Sequence, residues 1–282
     1  MGKIAVVTDS TAYLPQSMID EYGIYIVPLS VNFGEETYRE GVDMSPEEFY
    51  SYLGKAKELP TTSQPAIGDF LKLYEELAKE YDEVISIHIS SGISGTLSTA
   101  FSAANMVQDI TIEVIDSEIS SFGLAFMVLE AAQMAKQQKS LNEIKERMEW
   151  LVKNMRGYFI VDDLAHLHRG GRLNAAEFLI GSMLKIKPII HFTDKKLQPF
   201  EKIRTKKKAV DRILELLEEE TRDNILIRCS VVHAYSIAEA EELAERIKQS
   251  YSNVEVNISE FGPVLGTHTG PGTIGLTWYK IK

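Results

Sequence analysis

The chain has 282 residues, of which 44% are hydrophobic, and a formal net charge of −11. That length suits two domains, and the apolar fraction excludes wholesale disorder. The charge argues against nucleic acid as a partner, because no broad basic face is available to release counterions. A single cysteine, Cys229 in the apolar run Ile225–Val232, forms no internal disulfide, so a reducing cytoplasm is the expected location.

The chain opens on "KIAVVTD", which reads as a strand and not as a signal peptide, followed by a second strand in "IYIVPLSVNF". "SPEEFYSYLGKAK" starts a helix, with Ser45 as N-cap, Pro46 at the first helical position and Glu48 completing a capping box. In "AIGDFLKLYEELAKE", Phe70, Tyr74 and Leu77 share one helical stripe. A strand at Ile85–Ile89, a helix and the strand "TIEVID" follow. Strands alternating with helices predict a parallel sheet covered on both faces.

The segment from Ser117 to Gln138 has almost no polar face. Such a helix is buried on all sides, or it borders something apolar that is not its own sheet. Its apolar core, Phe122 to Ala135, is too short to span a bilayer, so no stable membrane insertion is expected. Ser140–Met155 is an ordinary amphipathic helix, striped by Leu141, Ile144, Met148, Leu151 and Met155. Residues 1–156 therefore read as an N-terminal α/β domain. Beyond Gly157, strands are predicted at 158–162, 184–192, 197–204, 225–234, 253–259 and 273–281, with helices at 205–219 and 236–249. Short connections such as "HFTDKKLQPF" imply antiparallel pairing, which makes 157–282 a second, α+β domain.

The chemistry concentrates in turns. "ISIHISSGISGTLSTAFSAANMV" runs from strand through small hydroxyls and glycines into a helix, the arrangement by which α/β proteins hold anions. It lacks the lysine of a Walker loop, the spacing of a dinucleotide fingerprint, and the last glycine of a nucleophile elbow, where Thr96 stands. The six histidines form no metal motif. What remains are hydroxyls and amides. Ser94 is either a plain cap or an anion donor, and "PTTSQP", with Thr61 and Thr62, poses the same choice. "VVTDS" and "EVIDS" end two more strands at the same sheet edge. An edge of small donors with little positive charge suits a single carboxylate better than a triphosphate. Further on, "LHRGGRLN" joins two glycines to Arg169 and Arg172, and "FGPVLGTHTGPGTIGL" surrounds His268 with glycine, which reads as a functional loop.

Together, and in this order, "VVTDST", "PTTSQP", "SSGISGTLSTA", "VIDS", "LHRGGRLN" and "GPVLGTHTGPGTIGL" make the whole chain resemble the DegV family. These are bacterial fatty-acid-binding proteins that include the lipid-carrying subunits of fatty acid kinase. The resemblance implies two domains with a fatty acid tunnel between them. It implies a carboxylate site at the "TTS" and "ISG" motifs, here Thr61, Thr62, Ser94 and Gly95, with His268 close to the head group. Arg172 and Arg204 match arginines linked to phosphoryl transfer or kinase docking. Phe122, Phe126, Met127 and Met134 are expected to form one wall of the acyl sleeve. The implied protein is a carrier and not itself an enzyme. It takes no cofactor, holds a long-chain acid such as palmitate or oleate, and presents the carboxylate to an ATP-dependent kinase for conversion to acyl phosphate. Two rivals stay open: a lipid hydrolase or acyltransferase with Ser94 as nucleophile and His268 as base, and a fatty acid transport or sensing protein without a kinase.

Overall fold

The computed structural model describes residues 2–56, 58–174 and 186–281. Its first sheet has the order β2-β1-β6-β7, built from β1 (Ile4–Asp9), β2 (Ile24–Val27), β6 (Glu83–His88) and β7 (Thr111–Asp116), all parallel. Alternation along the strands covers both faces. Ala5, Val7 and Val84 pack with Phe70 and Tyr74 of α3 (Ile67–Leu77) and Ala100 of α4 (Thr96–Ala104). Val6, Ile85 and Ile87 face α5 (Ser121–Lys136) and α6 (Leu141–Asn154).

"IYIVPLSVNF" is two strands, not one. Pro28 cannot donate to a ladder, and β2 stops before it. The chain then leaves the parallel sheet and forms β3 (Ser30–Phe33), which pairs antiparallel with β4 (Glu36–Arg39) and β5 (Thr61–Ser63). The "TTS" motif is therefore itself a short strand. Between them lies α2 (Pro46–Leu53), with the expected capping box of Ser45 and Glu48.

The second sheet has six strands in the order β10-β9-β8-β13-β11-β12. They are β8 (Arg156–Ile160), β9 (Lys187–Thr193), β10 (Lys196–Ile203), β11 (Ile227–His233), β12 (Val254–Glu260) and β13 (Ile274–Lys280). Only β11 and β12 run parallel. The predicted start of β9, residues 184–185, lies outside the described residues. After the short helix α7 (Ala165–Arg169), α8 (Lys206–Thr221) and α9 (Ile237–Ser250) cover one face of this sheet, burying Ile213, Leu217 and Leu243 against Ile160 and Ile189. The chain is thus mixed α/β, a parallel-sheet unit followed by a further sheet unit.

Between the two sheets lies α5. Ser121 through Val128 are all buried, because one side meets the parallel sheet and the other meets β11 and β13. Of the two readings of its apolar surface, burial on all sides is the one observed. Its Glu130 carboxylate accepts hydrogen bonds from Arg147 of α6 (3.1 Å), Tyr279 of β13 (2.7 Å) and Arg228 of β11 (3.1 Å).

The first part of the glycine-rich segment expected to be a loop is a helix, α10 (Pro263–Thr269), every residue of which is buried, and a turn at 270–273 follows it before β13. Its small residues serve close packing: a Cβ on Gly266 would sit 2.7 Å from both the Phe49 ring and the Tyr50 hydroxyl. Local composition suggested freedom, but tertiary burial overrides that preference.

Candidate functional site

The carboxyl ends of the parallel strands do converge, but most of their polar groups brace turns. Asp9 accepts from the Thr11 amide (3.1 Å) and hydroxyl (2.5 Å), the Ile89 amide (2.9 Å) and the His88 ring (3.0 Å). Asp116 is held by the Ser91 amide and hydroxyl and by the Lys195 ammonium. Lys195 sits at the tip of the β9–β10 hairpin, and its carbonyl accepts from Ser90 at 2.7 Å. The second sheet is thereby fastened across the edge of the first.

Beneath this junction lies a cavity of about 250 Å³. Ile89, Ile93, Phe159, Phe192, Leu197 and Leu265 supply much of its wall. Strand alternation explains the second sheet's share: Phe159 and Ile190 point away from α8 and α9 and cluster with Leu167 and Leu197.

Among the expected site residues, Thr62, Ser94, Gly95, His268 and Arg172 all line this cavity. Thr62 Oγ1 lies 2.7 Å from His268 Nε2. The other ring nitrogen, Nδ1, is buried and has no partner among the described residues. It faces Gly170, where even a Cβ would come within 2.2 Å of it. A buried acceptor without a partner is tolerated better than a buried donor without one. Nδ1 is therefore the bare nitrogen, and Nε2–H donates to Thr62. The Thr62 hydroxyl hydrogen is left free to point at an acceptor in the cavity. Burial first, then the nearby charge of Arg172 and His166, push the His268 pKa down to about 3, so the ring is neutral at physiological pH.

Arg172 is held inward against the cavity. Its Nε donates to the Ile93 carbonyl at 3.0 Å and its Nη1 to the Gly170 carbonyl at 2.5 Å. These bonds draw the guanidinium down to the cavity wall, where burial lowers its pKa without neutralising it. Arg204 behaves differently. It is exposed just after β10, outside the lining residues, and has no hydrogen bond or ion pair among the described residues.

Ser94 precedes the Gly95 N-cap of α4, and its oxygen contacts the Thr96 hydroxyl (2.9 Å) and amide (3.3 Å). The nucleophile–base contact needed by a hydrolase is not made: His268 is bonded to Thr62 instead. Thr61 lies outside the cavity lining, beside Asn32 on the exposed face of β5. Phe122, Phe126, Met127 and Met134 do not line the cavity either. Phe122, Phe126 and Met127 belong to the core between the two sheets, with Met134 packed against it, and the cavity wall draws instead on residues of β8–β10, β13 and α10. Gln64, Phe159, Phe192 and Leu197 were not singled out from sequence. Gln64 follows directly on the "TTS" strand, and its amide donates to Thr99 at 2.5 Å.

The arrangement is an apolar chamber with a neutral donor pair, serine hydroxyls and one guanidinium. A family model described as "Uncharacterised protein, DegV family" matches residues 3–281. The chain belongs to the DegV family. Protein DegV of Bacillus subtilis is 51% identical over 276 residues, covering 98% of each chain. A crystal structure described as that of DegV, a fatty acid binding protein from Bacillus subtilis, superposes with a TM-score of 0.95 at 50% identity over the whole of both chains. A DegV family protein from Thermus thermophilus, described by its fatty acid binding, superposes at 0.93 with 32% identity, covering 99% of this chain and 100% of its own.

Proposed function

We propose that this DegV family protein binds a long-chain fatty acid, with the tail in the chamber between the sheets and the carboxylate at Thr62, Ser94 and Arg172. The observation that carries the reading is the Thr62–His268 pair in the wall of a cavity lined mainly by apolar side chains. The tail supplies affinity: burying methylenes at roughly 0.8 kcal/mol each gives a sixteen-carbon chain on the order of 10 kcal/mol gross. Association and ordering costs offset part of that. The donors supply orientation, since hydrogen bonds to a charged acceptor are about twice as strong as neutral ones. The descriptions of the Bacillus and Thermus relatives support the same ligand class.

The bound acid is then a substrate for a separate ATP-dependent kinase. A carboxylate oxygen attacks the terminal phosphorus of ATP, ADP leaves, and the acyl phosphate stays with its tail in the chamber. Arg172 neutralises part of the charge that this transfer brings to the head group. Arg204, exposed outside the cavity, is placed in this reading on the kinase-facing surface. Mass spectrometry of a denaturing extract, with direct titration of palmitate and oleate, tests the ligand. Acyl phosphate formation on adding ATP and the cognate kinase tests the transfer. A protein that carries no fatty acid and binds neither acid overturns the proposal.

A further inference from the structure

We propose that Glu40, which does not line the cavity, is a positioning residue for the head-group site: it holds α10 in place and through it aligns His268 with Thr62. For its ligand this rests on the fatty-acid reading above; for His268 it rests on geometry alone.

Glu40 follows β4 and is 4% exposed. Its carboxylate accepts three hydrogen bonds, two from the turn that follows β1 and one from the start of α10. Ser10 Oγ donates at 2.6 Å, Tyr13 Oη at 3.1 Å and the Val264 amide at 2.7 Å. Val264 is the second residue of α10, and the next amide, Leu265, donates to Tyr13 Oη at 3.1 Å. Two of the amides that a helix start leaves without intrahelical partners are thus satisfied by Glu40 and by the tyrosine bonded to it. The same network reaches the cavity by another path. The Glu40 amide donates to the Leu29 carbonyl (2.9 Å), and the Leu29 amide donates to Ser10 Oγ (3.1 Å). Leu29, Val264, Leu265 and His268 all line the chamber.

A helix of seven residues has little stability of its own, so its place is set by its anchors. Besides the Glu40 network, the described anchors include the Tyr50 hydroxyl, which donates to the Phe261 carbonyl at 2.9 Å. Among the described residues no cation is paired with Glu40. Neighbouring Arg39 forms a two-point ion pair with Asp43, and the ionisable groups facing Glu40 are Asp9, Tyr13 and Tyr50. A buried carboxylate maintained without a cation, and bonded to the helix that carries the head-group histidine, acts by geometry rather than by charge pairing.

The test compares Glu40→Ala and Glu40→Gln with wild type. Palmitate and hexadecanol are titrated directly, and the His268 imidazole is followed by nitrogen-detected NMR without ligand. Glutamine keeps an oxygen for the Val264 amide and should remain within about threefold of wild type for both ligands. Alanine removes the acceptor. It should weaken palmitate by about tenfold or more, leave hexadecanol nearly unchanged, and shift the His268 signals away from the Nε2–H pattern. Equal loss of acid and alcohol, unchanged acid affinity, or unchanged His268 signals in Glu40→Ala would overturn the proposal. If Glu40→Ala does not fold, Tyr13→Phe removes the bridging hydroxyl to Leu265. An acid-selective loss and a His268 shift are then expected, and the absence of either overturns it. Wild type that binds neither ligand counts against the fatty-acid reading, while the NMR comparison still decides the role of Glu40.

Discussion

Replacing Thr62 with valine removes one oxygen and keeps the branched shape of the side chain. Two separate costs follow. Without ligand, the His268 Nε2–H loses its acceptor inside a ring that is 8% exposed. An unsatisfied buried donor costs about 1–3 kcal/mol of stability. With ligand, the carboxylate loses a hydroxyl donor, which costs a further 1.5–3 kcal/mol of affinity, or about 10- to 150-fold. Hexadecanol, which offers no charged acceptor, should lose much less. Thr62→Ser keeps the hydroxyl and should stay within about threefold of wild type. Urea unfolding measures the first cost, and parallel titrations of palmitate and hexadecanol measure the second. If valine weakens the acid and the alcohol equally, the hydroxyl does not meet the carboxylate and the assigned hydrogen-bond direction is wrong.

Arg172→Ala should weaken palmitate by about tenfold, since it removes the guanidinium from the cavity wall, whereas Arg204→Ala should leave affinity unchanged and cut acyl phosphate formation with a cognate kinase by about tenfold. Wild-type transfer rates in the Arg204 variant would make it ordinary surface charge. Phe126→Ala should cost about 3–5 kcal/mol in urea unfolding and leave the ligand affinity of the folded protein intact, because the ring packs in the core between the sheets; a selective loss of lipid would return α5 to the sleeve. Burial raises the Glu40 pKa to about 7 from 4.5, opposed by bonds from Ser10, Val264 and Tyr13 and reinforced by Asp9. The folded protein therefore holds this proton where the unfolded chain has lost it. The associated stability is fully present below about pH 4.5, falls as pH rises towards 7, and is flat above that. The loss is about 3 kcal/mol, at about 1.4 kcal/mol per pH unit. Glu40→Gln should lack this component, so the stability difference between wild type and variant should change between pH 5 and 8; a difference independent of pH would refute the assignment.

Features written in local chemistry were legible. The capping box at Ser45 starts a helix where its residues require it. The alternation of strand and helix before residue 156 is that of a parallel sheet. Thr62, Ser94 and His268 stood out as small donors in unusual turns, and all three line one cavity. What could not be read depends on distant partners. The segment around Gly266 reads as a loop until Phe49 and Tyr50 are packed against that glycine. Arg172 looks exposed in "HRGGR" because the Ile93 carbonyl that holds it comes from a segment 79 residues earlier. The chamber wall pairs Phe192 with Leu197 across a hairpin and sets Phe159 on the neighbouring strand, a match no single window of sequence displays. The apolar surface of α5 is legible as burial on all sides, which is what its packing between the two sheets shows.

That helix has a consequence for how the molecule comes apart. Its residues are packed on one side by strands from the first half of the chain and on the other by β11 and β13 from the second, with Glu130 bonded to α6 and to both of those strands. A chain cut after residue 156 leaves α5 in the first fragment with one entire flank bare, and leaves the second fragment's sheet without its cover. Two sheets that look like separable modules should therefore unfold in a single transition, and a separate melting step for either one would contradict the shared role of α5.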